Sequence, residues 1–274
     1  MKTDADPILV ADGFGFPEGP AFDRAGNFYV MECDAGRISK VTQDGHMEVF
    51  AETGGVPCGS RLHQNGHLIV AENGLAQILD FSPDGTWSVV AESFNKKPFR
   101  GPNDLILDSH GNCYFTDPKG STLENPVGRV FRVGADGAIS VFAVGLAFPN
   151  GICLSADEGT LYVAETFTRR IHAFTLNSDG SANNRSLYAQ MEGGVGPDGM
   201  DFGADGNLYV AHYGKGAVAV IAPTGEVIEE LPVSGKNPTN VAFWDDSLYV
   251  TETETGAVYR LDIGVKGQPL FGML

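Results

Sequence analysis

Short apolar runs alternate with Gly-, Asp- and Asn-rich breaks along almost the whole chain. In one stretch Phe16-Pro17-Glu18-Gly19-Pro20-Ala21-Phe22 is followed by Ala25-Gly26-Asn27 and then Phe28-Tyr29-Val30. Farther on, Gly196-Pro197-Asp198-Gly199-Met200-Asp201-Phe202 is followed by Asp205-Gly206-Asn207 and Leu208-Tyr209-Val210. The apolar runs have strand length, and the Asp-Gly and Gly-Asn pairs supply the positive φ of hairpin turns. Two more runs follow in each unit, as in Arg37–Val41 and Met47–Phe50 around Asp44-Gly45. Each unit therefore predicts four antiparallel strands. No segment of helical period is long enough to compete.

The units begin at Pro17, Pro57, Pro102, Pro149, Pro197 and Pro238, a repeat of 40 to 48 residues. Such a period with a strand pattern in every unit predicts an all-β fold, a six-bladed β-propeller of four antiparallel strands per blade. The last unit has three clear strands, Asn240–Trp244, Ser247–Thr251 and Ala257–Leu261. Ile8–Ala11 precedes Pro17 at the phase at which Val49–Ala51 precedes Pro57, so it is expected to complete blade six and close the ring. Residues 268–271 are the alternative for that slot. Closure by either segment removes exposed sheet edges. A length of 274 residues suits one propeller domain over residues 1–274.

A propeller gathers the first strand of every blade around one axis. The residues after the six prolines, Glu18, Cys58, Asn103, Asn150, Asp198 and Thr239, then form a ring. Four of them, Glu18, Asn103, Asn150 and Asp198, carry carboxylate or amide oxygens. Neighbouring carboxylates repel unless a cation or a proton lies between them. Oxygen-only ligation selects a hard cation, Ca²⁺, Mg²⁺ or Mn²⁺, over Zn²⁺. The plainer reading makes Asn and Asp turn formers bonded to local backbone, but that does not account for Glu18. A second ring ends the second strands: Glu32, Glu72, Asp117, Glu165, His212 and Glu252. Structural bonds to backbone N–H groups of the neighbouring blade are expected for the four Glu. Asp117 and His212 are candidates to reach the pocket. The segment Lys119–Val127 is an insertion of blade three and a candidate lid or wall.

Four pieces carry a resemblance: Phe16–Pro20, Gly101-Pro102-Asn103-Asp104, Phe148-Pro149-Asn150-Gly151 and Gly196–Asp201. They resemble the senescence marker protein (regucalcin)/gluconolactonase/luciferin-regenerating enzyme family over nearly the whole chain. Pro-Asp-Gly-Met-Asp also resembles diisopropyl fluorophosphatase, a related six-bladed hydrolase. The resemblance implies one divalent cation at the axis, usually Ca²⁺ and sometimes Zn²⁺ or Mn²⁺. Its ligands would be Glu18, Asn150 and Asp198, with Asn103 as a fourth ligand or a substrate contact. Asp198 would also be the general base. Relatives active on sugar lactones carry an Arg two residues before the Asn of blade three. Gly101 holds that position here, and Arg100 is the nearest candidate for a substrate contact.

Charge and cysteines refine the picture. The formal charge of −17 argues against nucleic acid or an anionic membrane as partner. Met1–Asp6 does not read as a signal peptide, and no apolar run is long enough to span a bilayer. Cys33, Cys58, Cys113 and Cys153 lack metal-type spacing and read as reduced, cytoplasmic thiols. The leading expectation is a metal-dependent hydrolase opening a small lactone or related ester. The alternatives are a phosphotriesterase-like hydrolase on the same metal, and a non-catalytic ligand-binding propeller.

Overall fold

The computed structural model describes residues 6–63 and 65–269. Six four-stranded antiparallel sheets follow one another along the chain. Blade one comprises Pro17–Phe22, Phe28–Glu32, Arg37–Val41 and Met47–Glu52. Blade two comprises Pro57–Leu62, Leu68–Glu72, Gln77–Phe81 and Trp87–Ala91. Blade three has a short first strand, Leu105–Leu107, before Cys113–Asp117, Gly128–Val133 and Ile139–Leu146. Blade four comprises Pro149–Leu154, Thr160–Glu165, Arg170–Leu176 and Ala182–Gln190. Blade five comprises Gly196–Phe202, Leu208–Tyr213, Ala217–Ile221 and Val227–Pro232.

Blade six is built from both ends of the propeller. Pro238–Trp244, Ser247–Glu252 and Ala257–Asp262 are joined by Ile8–Asp12 from the N-terminal region. Ile8 pairs with Arg260 and Leu9 with Tyr259, antiparallel. The expected closure is therefore the one the chain adopts. Of the alternative segment, Gln268 and Pro269 are described and the rest lies outside the described residues. The Gln268 backbone N–H donates to the Phe202 carbonyl of blade five at 2.8 Å, away from the blade-six edge. Among the described residues the only helical piece is the 3₁₀ turn Thr166–Thr168, and no helix is long and apolar enough to cross a membrane.

The core lies between adjacent blades. Met31 and Ile38 of blade one pack on Leu68, Leu79 and Phe81 of blade two. Val218, Val220 and Leu231 of blade five pack on Val241, Val250 and Leu261 of blade six. Burying each such side chain contributes about 1.5–3 kcal/mol. The seam between blades six and one is aromatic, with Phe22 stacked on Trp244 at 5.4 Å and edge-on to Tyr249 at 4.6 Å. This packing holds the first strands in register around the axis, where side-chain hydroxyls tie neighbours together. Thr239 Oγ1 donates to the Pro17 carbonyl, Ser60 Oγ to Gly19 and Thr166 Oγ1 to Pro197, each at 2.7 Å.

Candidate metal centre

Pairing in the first strands is irregular just after the unit-opening proline. Register shifts fall between Glu18 and Ala21, Pro57 and Ser60, Pro149 and Ile152, Pro197 and Met200, and Pro238 and Asn240. Such a bulge breaks the simple alternation of side chains. Both the residue after the proline and the next one can therefore face the axis. That next residue is Gly in blades one, two, four and five, because a neighbour occupies its space. A Cβ on Gly59 would lie 2.2 Å from Asp104 Oδ1, and one on Gly199 2.0 Å from Asn240 Cγ. In blades three and six the same position carries Asp104 and Asn240. The axis thus holds two polar layers.

Glu18, Asn150 and Asp198 are buried, at 6, 5 and 6% exposure, and Asn103 is half-buried. Asn240 Nδ2 donates to Glu18 Oε2 at 3.3 Å, and the Gly19 N–H donates to the same oxygen at 3.0 Å. Asn150 hydrogen-bonds the Asp198 carboxyl. Asp198 Oδ1 and Asp104 Oδ2 are buried with no hydrogen-bond partner. Burial and the neighbouring Asp104 charge raise Glu18 to about 7. Burial raises Asp104 to about 6, against the opposing charge of Arg61. Burial, Glu18 and Asp104 together push Asp198 well above the usual carboxylate range. Three carboxyls resist ionising together, with oxygens left over. That fits a bound cation chemically: it would supply the missing charge and take the free lone pairs. Among the described residues no three His, Cys, Asp or Glu side chains form a metal cage by themselves. A site here therefore needs the amide oxygens of Asn103 and Asn150.

Below this lies Arg61, only 5% exposed, with its Nη1 donating to the Ser60 carbonyl at 3.0 Å. Its charge opposes the raised values of Asp104 and of half-buried Asp201. Arg61 and Asp201 line a small cavity of about 80 Å³ at the lower end of the axis. The prolines alone do not point to Asp104, Asn240, Arg61 or Asp201. The signal was the pair of non-glycine residues at a position that is otherwise Gly.

The outer ring is engaged in hydrogen bonds. Glu32 Oε2 accepts from the Gly15 N–H at 3.0 Å, Glu165 Oε1 from Ala147 at 2.7 Å and Glu252 Oε1 from Asn237 at 2.8 Å. Each donor precedes the proline of the same blade by one or two residues, so the bonds stay within the blade rather than reaching its neighbour. Two of these loops are strained, because Phe16 and Phe148 sit at φ 55° and 63°. The outer carboxylates hold the turns that deliver Glu18 and Asn150. Asp117 does the same for blade three, accepting from the Arg100 and Gly101 N–H groups at 3.0 and 2.7 Å and pairing with Arg129. His212 is 1% exposed, and its Nε2 lies 3.0 Å from the Gly193 carbonyl. Arg100 is exposed, with Nη1 donating to the Val127 carbonyl at 2.7 Å. It thereby braces the blade-three insertion, which Ser121 Oγ also ties to Leu146 at 2.6 Å.

Known proteins are similar to this chain in sequence or in structure. The chain is 31% identical over 250 residues to lactonase drp35 of Staphylococcus haemolyticus, covering 85% of this chain and 74% of that one. It is 26% identical over 276 residues to the diisopropyl-fluorophosphatase of Loligo vulgaris, covering 89% and 88%. A solved gluconolactonase from Xanthomonas campestris superposes with a TM-score of 0.84 at 25% identity, covering 96% of this chain and 90% of that one. The profile of the SMP-30/Gluconolactonase/LRE-like region matches residues 16–254, and the chain belongs to that family.

Proposed function

We propose that this chain is a metal-dependent lactonase, hydrolysing a small cyclic ester at the axial ring. The single observation that carries the reading is Asp198: a buried carboxyl with one unpartnered oxygen, among a donor set of oxygens only. Glu18, Asn103, Asn150 and Asp198 are the residues that would hold the ion, with Ca²⁺ first in line because it accepts irregular oxygen shells. The ion would supply Lewis-acid charge for the ester carbonyl.

The remaining chemistry belongs to the chain. Asp198 accepts the proton of the attacking water through its free oxygen, while Asn150 fixes the carboxyl plane. Burial and the neighbouring Glu18 and Asp104 charges push Asp198 well above the usual carboxylate range, and a cation beside it would oppose that rise and favour the ionised base. Asn240 and the Gly19 N–H orient Glu18. Asn103, the least buried of the four, positions the substrate or the ion. Likeness to lactonase drp35 and to a gluconolactonase supports the substrate class.

The test is hydrolysis of a lactone panel with Ca²⁺, Mn²⁺ or Zn²⁺ and after chelation. Turnover that depends on added metal is expected, and metal-independent turnover would contradict the reading. Likeness to diisopropyl-fluorophosphatase favours one second reading, a phosphotriesterase in which Asp198 attacks phosphorus. Single turnover in ¹⁸O-water separates them. Label in the product acid at the first turnover supports direct water attack, and label in an Asp198-containing peptide supports the nucleophile.

A further inference from the structure

The second strand of every blade ends on the face that carries the metal centre, so the connections from second to third strand all lie there. Their exposed side chains divide that face. In blades five, six and one these connections carry Lys215, Glu254 and Asp34, exposed and charged. In blades two, three and four they carry Leu75, Leu123 and Phe167. Leu75 is 40% exposed and Leu123 55%. Phe167 sits in the 3₁₀ turn, its ring 4.7 Å from that of Phe148, which precedes the opening proline of blade four. Blades two, three and four pack on one another in that order. The apolar residues therefore form one arc around half of the mouth. Phe16 and Val195, beside the opening prolines of blades one and five, are exposed too, at 37% and 45%.

We propose that this arc is a subsite for an apolar tail, so that the substrate of the axial ring is a lactone bearing an alkyl chain rather than a polyhydroxylated sugar lactone. The inference rests on the lactonase reading above. Single exposed apolar side chains are ordinary, but a continuous arc of them at the mouth of a polar site marks a place for an apolar ligand. An alkyl chain lying across Leu75, Leu123 and Phe167 removes its own surface and theirs from water. Sugar hydroxyls set against the same side chains would lose water without finding a partner.

The charged groups beside the arc do not supply those partners. Lys119 and Glu124 are exposed on the blade-three insertion. The Arg100 guanidinium donates to the Val127 carbonyl, and Gly101 offers no side chain. Phe16 and Phe148 hold φ of 55° and 63°, a backbone state kept only where the surroundings impose it, as at ligand sites. Ring opening adds one water across the ester C–O bond and gives a hydroxy acid with the tail unchanged.

The experiment uses the full chain saturated with Ca²⁺. It measures kcat/KM for γ-butyrolactone, for its ethyl, butyl and hexyl derivatives at the γ-carbon, and for glucono-δ-lactone. Calorimetric binding of the matching alkyl lactams, whose amide resists hydrolysis, runs in parallel on wild type, Leu75→Gln and Leu123→Gln. In wild type both kcat/KM and lactam affinity should rise roughly two- to fourfold per methylene, a fully buried methylene being worth about fourfold. The sugar lactone should trail the hexyl lactone, and the gain per methylene should shrink in both variants. No gain with chain length, a sugar lactone turned over best, or an unchanged gain in both variants would overturn the proposal and leave lactone hydrolysis standing. Lactam affinity that climbs with chain length, without turnover of any lactone, would support the tail subsite and sink the lactonase reading instead.

Discussion

The same face of the propeller carries two rings of carboxylates with opposite chemistry. In the outer ring, burial pulls Glu165 upward, but bonds from His172, Thr168 and the Ala147 N–H outweigh it and bring the carboxyl to about 2. Glu32 is lowered in the same way, its burial overcome by Arg37, Ser39 and Gly15. In the inner ring the donors are fewer and burial, joined by neighbouring carboxyl charges at Glu18 and Asp198, outweighs them, so Glu18, Asp104 and Asp198 all rise. Residue type and burial are shared, and the partners differ. A buried carboxylate whose donors outweigh its burial is scaffold, and one whose donors do not is ready for a cation or a proton.

The largest expected effect falls on the inner ring. Asp198→Asn keeps an oxygen but cannot accept a proton, so turnover should fall by roughly 10²–10⁴ even with metal saturating. A loss repaired fully by added metal would show that Asp198 is only a ligand. Asn103→Ala retains the base, and its deficit should be smaller and partly rescued by metal.

On the outer ring the expected effect is on stability. Glu165→Gln removes a charged acceptor of several buried bonds and should cost about 1–3 kcal/mol, seen as a lower Tm. The rate per folded, metal-loaded molecule should stay near wild type. A Tm unchanged within error, with a collapsed rate, would erase the distinction between the rings.

The two rings also predict opposite pH behaviour. Glu165 has a folded pKa of about 2, below its ordinary 4.5, so its contribution is present above that value and lost as pH falls toward 2. Glu18, at about 7 against 4.5, and Asp104, at about 6 against 3.8, are raised. Their contribution is full below the ordinary values and lost as pH rises through 6 to 7. Metal-free protein should therefore be most stable in mild acid, and added Ca²⁺ should raise Tm more at pH 7.5 than at pH 5. Melting curves with chelator or Ca²⁺ at both pH values check this; an equal gain at both would contradict it. Removing residues 1–11 should lower Tm or cause aggregation, because it exposes the Ala257–Asp262 edge. An unchanged melting curve would show that closure is dispensable.

Much of this was legible in the sequence, and the limits have a physical cause. The six prolines and the hairpin pairs sufficed for the blades, and the phase of Ile8–Ala11 for the closure. Glu18, Asn150 and Asp198 were legible because one repeat position becomes one ring. Asp104 and Asn240 are not legible because strict alternation places the following residue on the opposite side; a bulge cancels that rule at Asn240, and in blade three the paired strand starts only at Leu105, after Asp104. The outer carboxylates bond N–H groups of their own blade rather than of the neighbouring one the repeat suggests, since the repeat does not show how a loop folds back on its own second strand.

The central claim is that the inner ring, and not the outer one, is the cation site. Elemental analysis of Ca²⁺-equilibrated, desalted protein tests it most directly, on wild type, Glu18→Gln, Asp198→Asn and Glu165→Gln. The account predicts one bound ion per chain in wild type and Glu165→Gln, and strongly reduced content in the two inner-ring variants, with all four folded. Unchanged metal content in both Glu18→Gln and Asp198→Asn would contradict it.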